Sequence, residues 1–177
     1  MTKDMKNSTS LALVAASLSL VAGSAIAQEL GSRQAREFAQ AAAASDQFEV
    51  LEAETVLAQS TNPDVRALAT RMLQDHRQLS QALRDAATRS GMKPPVMAMS
   101  ADQAQWLGSL QGVSGSDFDR LYLRQQVLAH RSALVVQQMY AKSGDDSALR
   151  QSATAAIPVI TSHGDMASQM EAKLGGQ

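Results

Sequence analysis

The stretch NPDVRALATRMLQDHRQLSQALRDAATRSG, residues 62–91, decides the fold. Val65, Leu68, Met72, His76, Leu79, Leu83 and Ala86 recur at spacings of three and four, which draws one apolar stripe down a long helix. The only histidine of the segment lies on that stripe. Asn62 suits the helix cap, Pro63 the first helical position and Gly91 the stop. Arg66, Arg71, Arg77, Arg84 and Arg89 fall mostly off the stripe, as a solvated face requires.

Working outward, residues 33–60 read as a preceding long helix with Ala41, Ala44, Phe48, Leu51 and Thr55 on one face. The turn Thr61-Asn62-Pro63 is short, so the two helices are antiparallel neighbours. Residues 91–116 form a long connection, where Pro94 and Pro95 forbid a continuing helix. Ser100 and Gln103 match a capping box that opens a short helix to about Gln111, carrying Trp106, Leu107 and Leu110. Its apolar residues are expected to plug one end or side of the bundle.

A third long helix is expected from a Ser116 cap to the Gly144 stop, about 117–143. Leu123, Val127, His130, Leu134 and Ala141 lie along one face, with Phe118 and Tyr122 at its edge. The fourth runs from about Asp146 to Lys173 with Leu149, Ala153, Ala156, Ile160, His163, Ala167, Met170 and Leu174 in register. Pro158 inside it removes one amide donor and predicts a kink. The expectation is an all-α four-helix bundle over residues 28–177, with a long second-to-third connection that carries a short helix.

Composition agrees. Aromatic residues make up 3% of 177, and net charge is −1, which favours helix over sheet and one domain. Lys3 and Lys6, the apolar run Leu11–Ala22 and Ala25-Ile26-Ala27 read as an export signal, residues 1–27, cleaved after Ala27. The mature protein is then periplasmic or secreted. The run is shorter than the about 20 residues a permanent span needs, and no later segment is apolar enough to cross a membrane. Removing Lys3, Asp4 and Lys6 leaves 14 basic and 16 acidic residues, a net charge of −2. No basic stripe appears, which argues against a nucleic-acid partner. The chain has no cysteine, so neither a disulfide nor a thiolate nucleophile is available.

The three histidines, His76, His130 and His163, fall on the inward stripes of three different helices. At about 1.5 Å per residue, His76 and His130 come roughly 20 Å along their helices, and His163 about 15 Å from the shared end if the second and third helices are parallel. Glu49 and Glu52 of the first helix reach a similar height. Several polar rings in one core need partners. A metal ion held by the three imidazoles with Glu49 and Glu52 supplies them, and so does a hydrogen-bonded cluster that includes Gln126 and Tyr122. The donor set suits a single zinc, copper or iron ion. It does not match a two-iron site built on Glu-x-x-His pairs, because Leu73, Val127 and Ile160 stand three residues before the histidines. Met92, Met97 and Met99 in the connection, with Met166 and Met170, read as soft copper donors or as packing.

Taken in order, DQFEV at 46–50, LATRMLQDH at 68–76, SGSDFDRLYLRQQVLAH at 114–130, SGDDSALRQSA at 143–153 and AIPVITSH at 156–163 resemble an exported bacterial family, domain of unknown function 4142. The resemblance spans about residues 34–174. It implies a ferritin-like bundle exported to the periplasm or outer envelope, with no established activity. Glu49, His76, His130 and His163 match the family's recurrent polar positions, whereas Ala53-Glu54-Thr55 and Gln59 depart from it. The reading from sequence is thus an exported, soluble, non-enzymatic bundle that serves the cell envelope or its stress response and binds one metal ion. A metal-handling or redox metalloenzyme of the periplasm and a purely structural interaction module are the alternatives.

Overall fold

The computed structural model describes residues 31–175; the expected export signal lies outside them. Five helices follow in order: α1 Arg33–Gln59, α2 Pro63–Arg89, α3 Ala101–Gln111, α4 Gly115–Ser143 and α5 Ser147–Gly175. Among the described residues all regular structure is helical.

Local chemistry sets the boundaries. The Ser32 hydroxyl accepts the Ala35 amide to open α1, and the Asn62 side chain accepts the Asp64 and Val65 amides ahead of Pro63. Arg66 then donates to the Leu57 and Ser60 carbonyls, tying off the end of α1. At the end of α2, Gly91 adopts φ +70, its amide meets the Thr88 carbonyl and that of Met92 the Ala87 carbonyl. That is a Schellman stop, and it explains the glycine. The capping box of Ser100 and Gln103 forms. The helix α4 begins earlier than a Ser116 cap allows: Ser114 takes the cap position without a side-chain bond. Asp146 accepts the Leu149 amide to open α5, which runs on through Pro158.

The long helices form a bundle in which α1 packs on α2 and α4, and α5 packs on α4 and α2. One apolar cluster joins the start of α1, the end of α2, the end of α4 and the start of α5, through Phe38, Leu83, Tyr140 and Leu149. A second joins the opposite ends, through Val56, Met72, Leu123 and Ala167. Neighbouring helices are therefore antiparallel, while α2 and α4 run the same way across the diagonal. The 90–114 connection carries the chain back along the bundle. Its α3 packs on the side, with Trp106 edge-on to Phe48 at 6.1 Å.

That arrangement corrects the expected face of α1. Ala41 is exposed and Ala44 only half-buried, whereas Ala35, Ala39, Ala42, Asp46, Glu49, Glu52, Ala53 and Val56 are buried. The inward stripe carries three carboxylates, so apolar periodicity locates the flank beneath α3 instead. On α2, Ser80 is buried where Leu79 is only half so. Met92 is buried and Met97 packs against the same apolar cluster, which makes these two thioethers packing groups.

Candidate metal centre

Between the two apolar clusters lies a polar waist. His76 and His130 reach across the diagonal from α2 and α4, and His163 closes the triangle from α5. All three are at most 2% exposed, with ring centroids 5.3 to 5.5 Å apart. One ring nitrogen of each lies within 4.8 Å of the others. The parallel run of α2 and α4 is what brings His76 and His130 to one level.

The outer nitrogens are all engaged. His76 Nδ1 lies 3.0 Å from Asp46 Oδ1, and Ser80 supports the same carboxylate at 3.3 Å. His130 Nδ1 lies 2.9 Å from the Gln126 carbonyl, and His163 Nε2 2.9 Å from Asp75 Oδ2. Carbonyls and carboxylates only accept, so in each neutral ring the outer nitrogen carries the proton and the inner one a lone pair. The inner nitrogens of His76 and His130 meet at 3.4 Å, and His163 Nδ1 has no hydrogen-bond partner. Three lone pairs converge on one buried point.

Sequence reasoning missed Asp46 and Asp75 as partners. Asp75 precedes His76 in sequence, yet it serves His163, because adjacent helical residues point about 100° apart. The signal for Asp46 was its spacing: it stands three and six residues before Glu49 and Glu52, on the same face.

Glu49 and Glu52 stand behind His130 rather than at the converging point. Glu49 Oε1 lies 3.6 Å from His130 Nδ1, the outer nitrogen. Gln126 Nε2 donates to Glu49 Oε2 at 2.6 Å and Glu52 Oε2 at 2.8 Å.

Burial dominates the electrostatics. It raises the Glu49 carboxyl to about 7 against the opposing pull of His76 and Gln126. Burial and then the Glu49 charge hold Glu52 well above the usual carboxylate range. His130 is pushed down to about 3 by burial and then by the His76 charge. Burial also lowers His163, against the hydrogen bond that it donates to Asp75. For His76 burial pulls downward too, but the Asp46 bond with the Glu49, Asp46 and Asp75 charges outweighs it, and its pKa is raised. A proton shared between His76 and His130 therefore competes with any cation for the inner position.

A cavity of about 130 Å³ between α4 and α5 is lined by His130, Thr161, Gly164 and Asp165, and approaches the cluster from outside. Among the described residues no helix is long and apolar enough to cross a membrane.

Fold and waist together define a class: antiparallel four-helix bundles with one long crossover and a buried imidazole–carboxylate layer. The sequence matches the family model Domain of unknown function (DUF4142) over residues 21–170, and the chain belongs to that family. Among solved structures it is similar to a DUF305 fragment from Deinococcus radiodurans, with TM-score 0.68 and 18% identity over 84% of this chain and 99% of that one. At that identity the likeness speaks for the fold alone. No curated protein matches the chain significantly.

Proposed function

We propose that this protein is an exported envelope protein, mature from Gln28, that binds one transition-metal ion through His76, His130 and His163. The observation that carries the reading is the set of three buried imidazole lone pairs aimed at one another, each fixed from behind by Asp46, the Gln126 carbonyl or Asp75. A histidine ligand ordinarily donates its other N–H to such a partner, which fixes its tautomer and raises its basicity. Neutral imidazoles suit zinc, copper or iron, and three of them leave a fourth position for water or a small ligand. The carboxylates around them balance the charge of a dication. A hydrogen-bonded core without metal explains the outer bonds, but it leaves the inner nitrogen of His163 unpartnered.

The test is a melting series with Zn²⁺, Cu²⁺ and Fe²⁺, each beside a chelator control. The matching ion should stabilise the parent by roughly 3 kcal/mol at a hundredfold excess over its dissociation constant. His76→Ala, His130→Ala and His163→Ala should each remove most of that gain, with combined effects well short of additive. The reading fails if no ion shifts the parent, or if the shift survives all three substitutions.

A further inference from the structure

Behind His130 the waist holds a second group of buried oxygens, which meets the imidazole cluster only where Glu49 Oε1 lies 3.6 Å from His130 Nδ1. Glu49 and Glu52 are at most 1% exposed, and among the described residues no lysine or arginine pairs with either. Their shared hydrogen-bond donor is one amide, Gln126 Nε2, which bridges Oε2 of both. The remaining oxygens, Glu49 Oε1 and Glu52 Oε1, are buried without a hydrogen-bond partner. So are Gln126 Oε1 and the hydroxyl of Tyr122, a fully buried residue one turn before Gln126 that feels the charge of both carboxylates.

Buried polar atoms are ordinarily satisfied, and four unpartnered oxygens around one carboxylate pair call for a common ligand. When both are ionised the two carboxylates need positive charge, and the bridging amide supplies only partial charge, at the place where a cation would balance both. Rotating that amide half a turn presents Oε1 instead of the NH₂ group. We propose that Glu49, Glu52, Gln126 and Tyr122 form a second metal site, for an oxygen-seeking divalent cation, beside the imidazole cluster. The donors are two carboxylates, an amide oxygen and a neutral hydroxyl, a hard set unlike the three nitrogens in front of His130. Because these four side chains are buried, a cation among them sheds its water, which disfavours Mg²⁺ and favours Mn²⁺. The two sites thus sort metals by ligand softness within one waist.

This inference stands apart from the imidazole reading, and one experiment separates their failures. The protein is loaded with one equivalent of Zn²⁺ to fill the nitrogen site. Mn²⁺ is then titrated while the free ion is followed by electron paramagnetic resonance. One further Mn²⁺ per chain should be taken up. Glu52→Gln should abolish that uptake without changing the zinc stoichiometry, and Tyr122→Phe should weaken it. Glu52→Gln keeps the side-chain shape and removes a buried ionisable carboxyl, so the variant should fold; Glu49→Gln is the second variant of the same kind. A protein that binds Zn²⁺ but no Mn²⁺ overturns the carboxylate site and leaves the imidazole site standing. Mn²⁺ uptake that survives both Glu52→Gln and Glu49→Gln overturns it as well. Glu52-dependent Mn²⁺ uptake in a protein that takes no Zn²⁺ supports it alone.

Discussion

The two ends of the bundle and its waist are built on opposite principles. One end is a close alanine contact, with Ala35, Ala39, Ala42, Ala43, Ala86 and Ala87 around Phe38 stacked on Tyr140 at 3.9 Å. The other packs larger groups, Met72, Leu110, Phe118 and Leu123. Both remove apolar surface from water, which drives folding. The waist instead buries three imidazoles and the carboxylates of Asp46, Glu49 and Glu52, and leaves several of their atoms unpartnered. Replacing buried polar groups with well-packed apolar ones is often neutral or stabilising. The proposed division is ligand binding at the waist and stability at the ends.

The sharpest way to break that contrast is to exchange the chemistry of the two regions. Leu123→Asp places an unpaired charge in an apolar end and should destabilise the metal-free protein by about 4 kcal/mol. Glu52→Leu at the waist should melt at or above the parent in chelator. If thermal melts followed by circular dichroism show the two variants equally damaged, the division between stability and function is wrong.

The waist should also reveal itself through pH. Glu49 is fully buried, with its carboxyl raised to about 7 from an ordinary 4.5. Between those values the folded protein holds a proton that the unfolded chain has released. Glu49 therefore favours folding as pH falls through that window, and the contribution is lost as pH rises through about 7. His130 acts in reverse: held down to about 3 from 6.5, it drains stability as the pH falls and the unfolded chain takes up protons. Glu49→Gln removes the first effect and leaves the burial of His130 in place. In chelator, the variant should lose more stability than the parent on acidification from about 7 to about 4.5, by on the order of 3 kcal/mol. Parallel pH profiles would show that Glu49 is not held protonated by burial.

A third test separates holding a ligand from placing it. Asp75 touches His163 from the outside and is partly open to solvent. Asp75→Asn should lower metal affinity about 10- to 100-fold, measured by competition with a chelating dye, while the metal-free melt barely moves. An unchanged affinity would remove Asp75 from the site's outer layer.

The same contrast explains what was legible in the sequence. Spacing located four long helices, the Asn62 and Ser100 caps and the Gly91 stop, because these depend on local chemistry. It placed His76, His130 and His163 at one height because three stripes otherwise apolar made each histidine conspicuous. On α1 it set Glu49 and Glu52 inward but drew the apolar stripe through Ala41 and Ala44, since an apolar count follows Phe48 toward α3 and passes over Asp46. Asp46 was marked only by its spacing from Glu49 and Glu52, while the pairing of Asp75 with His163 depends on which helix faces which across the bundle, and no local pattern carries that.

The smallest expected effect lies where waist and stability meet. Gly164 sits inside α5, one residue past His163, opposite His130 on α4. A methyl group built there would lie 3.4 Å from His130 Cβ, a close contact that a slight adjustment accommodates. Glycine inside a helix costs roughly 1 kcal/mol relative to alanine, because the unfolded chain is freer. Gly164→Ala should therefore stabilise the metal-free protein by about 0.5–1 kcal/mol. Metal affinity at equilibrium should be unchanged, since no ring nitrogen or outer partner moves. The variant also narrows the cavity that His130 and Gly164 line, so stopped-flow metal uptake should slow. A stabilised variant with unaltered uptake would place the entry route elsewhere. A destabilised one would show that α4 and α5 are already in their closest contact beside His130, and that Gly164 is required for the imidazoles to meet.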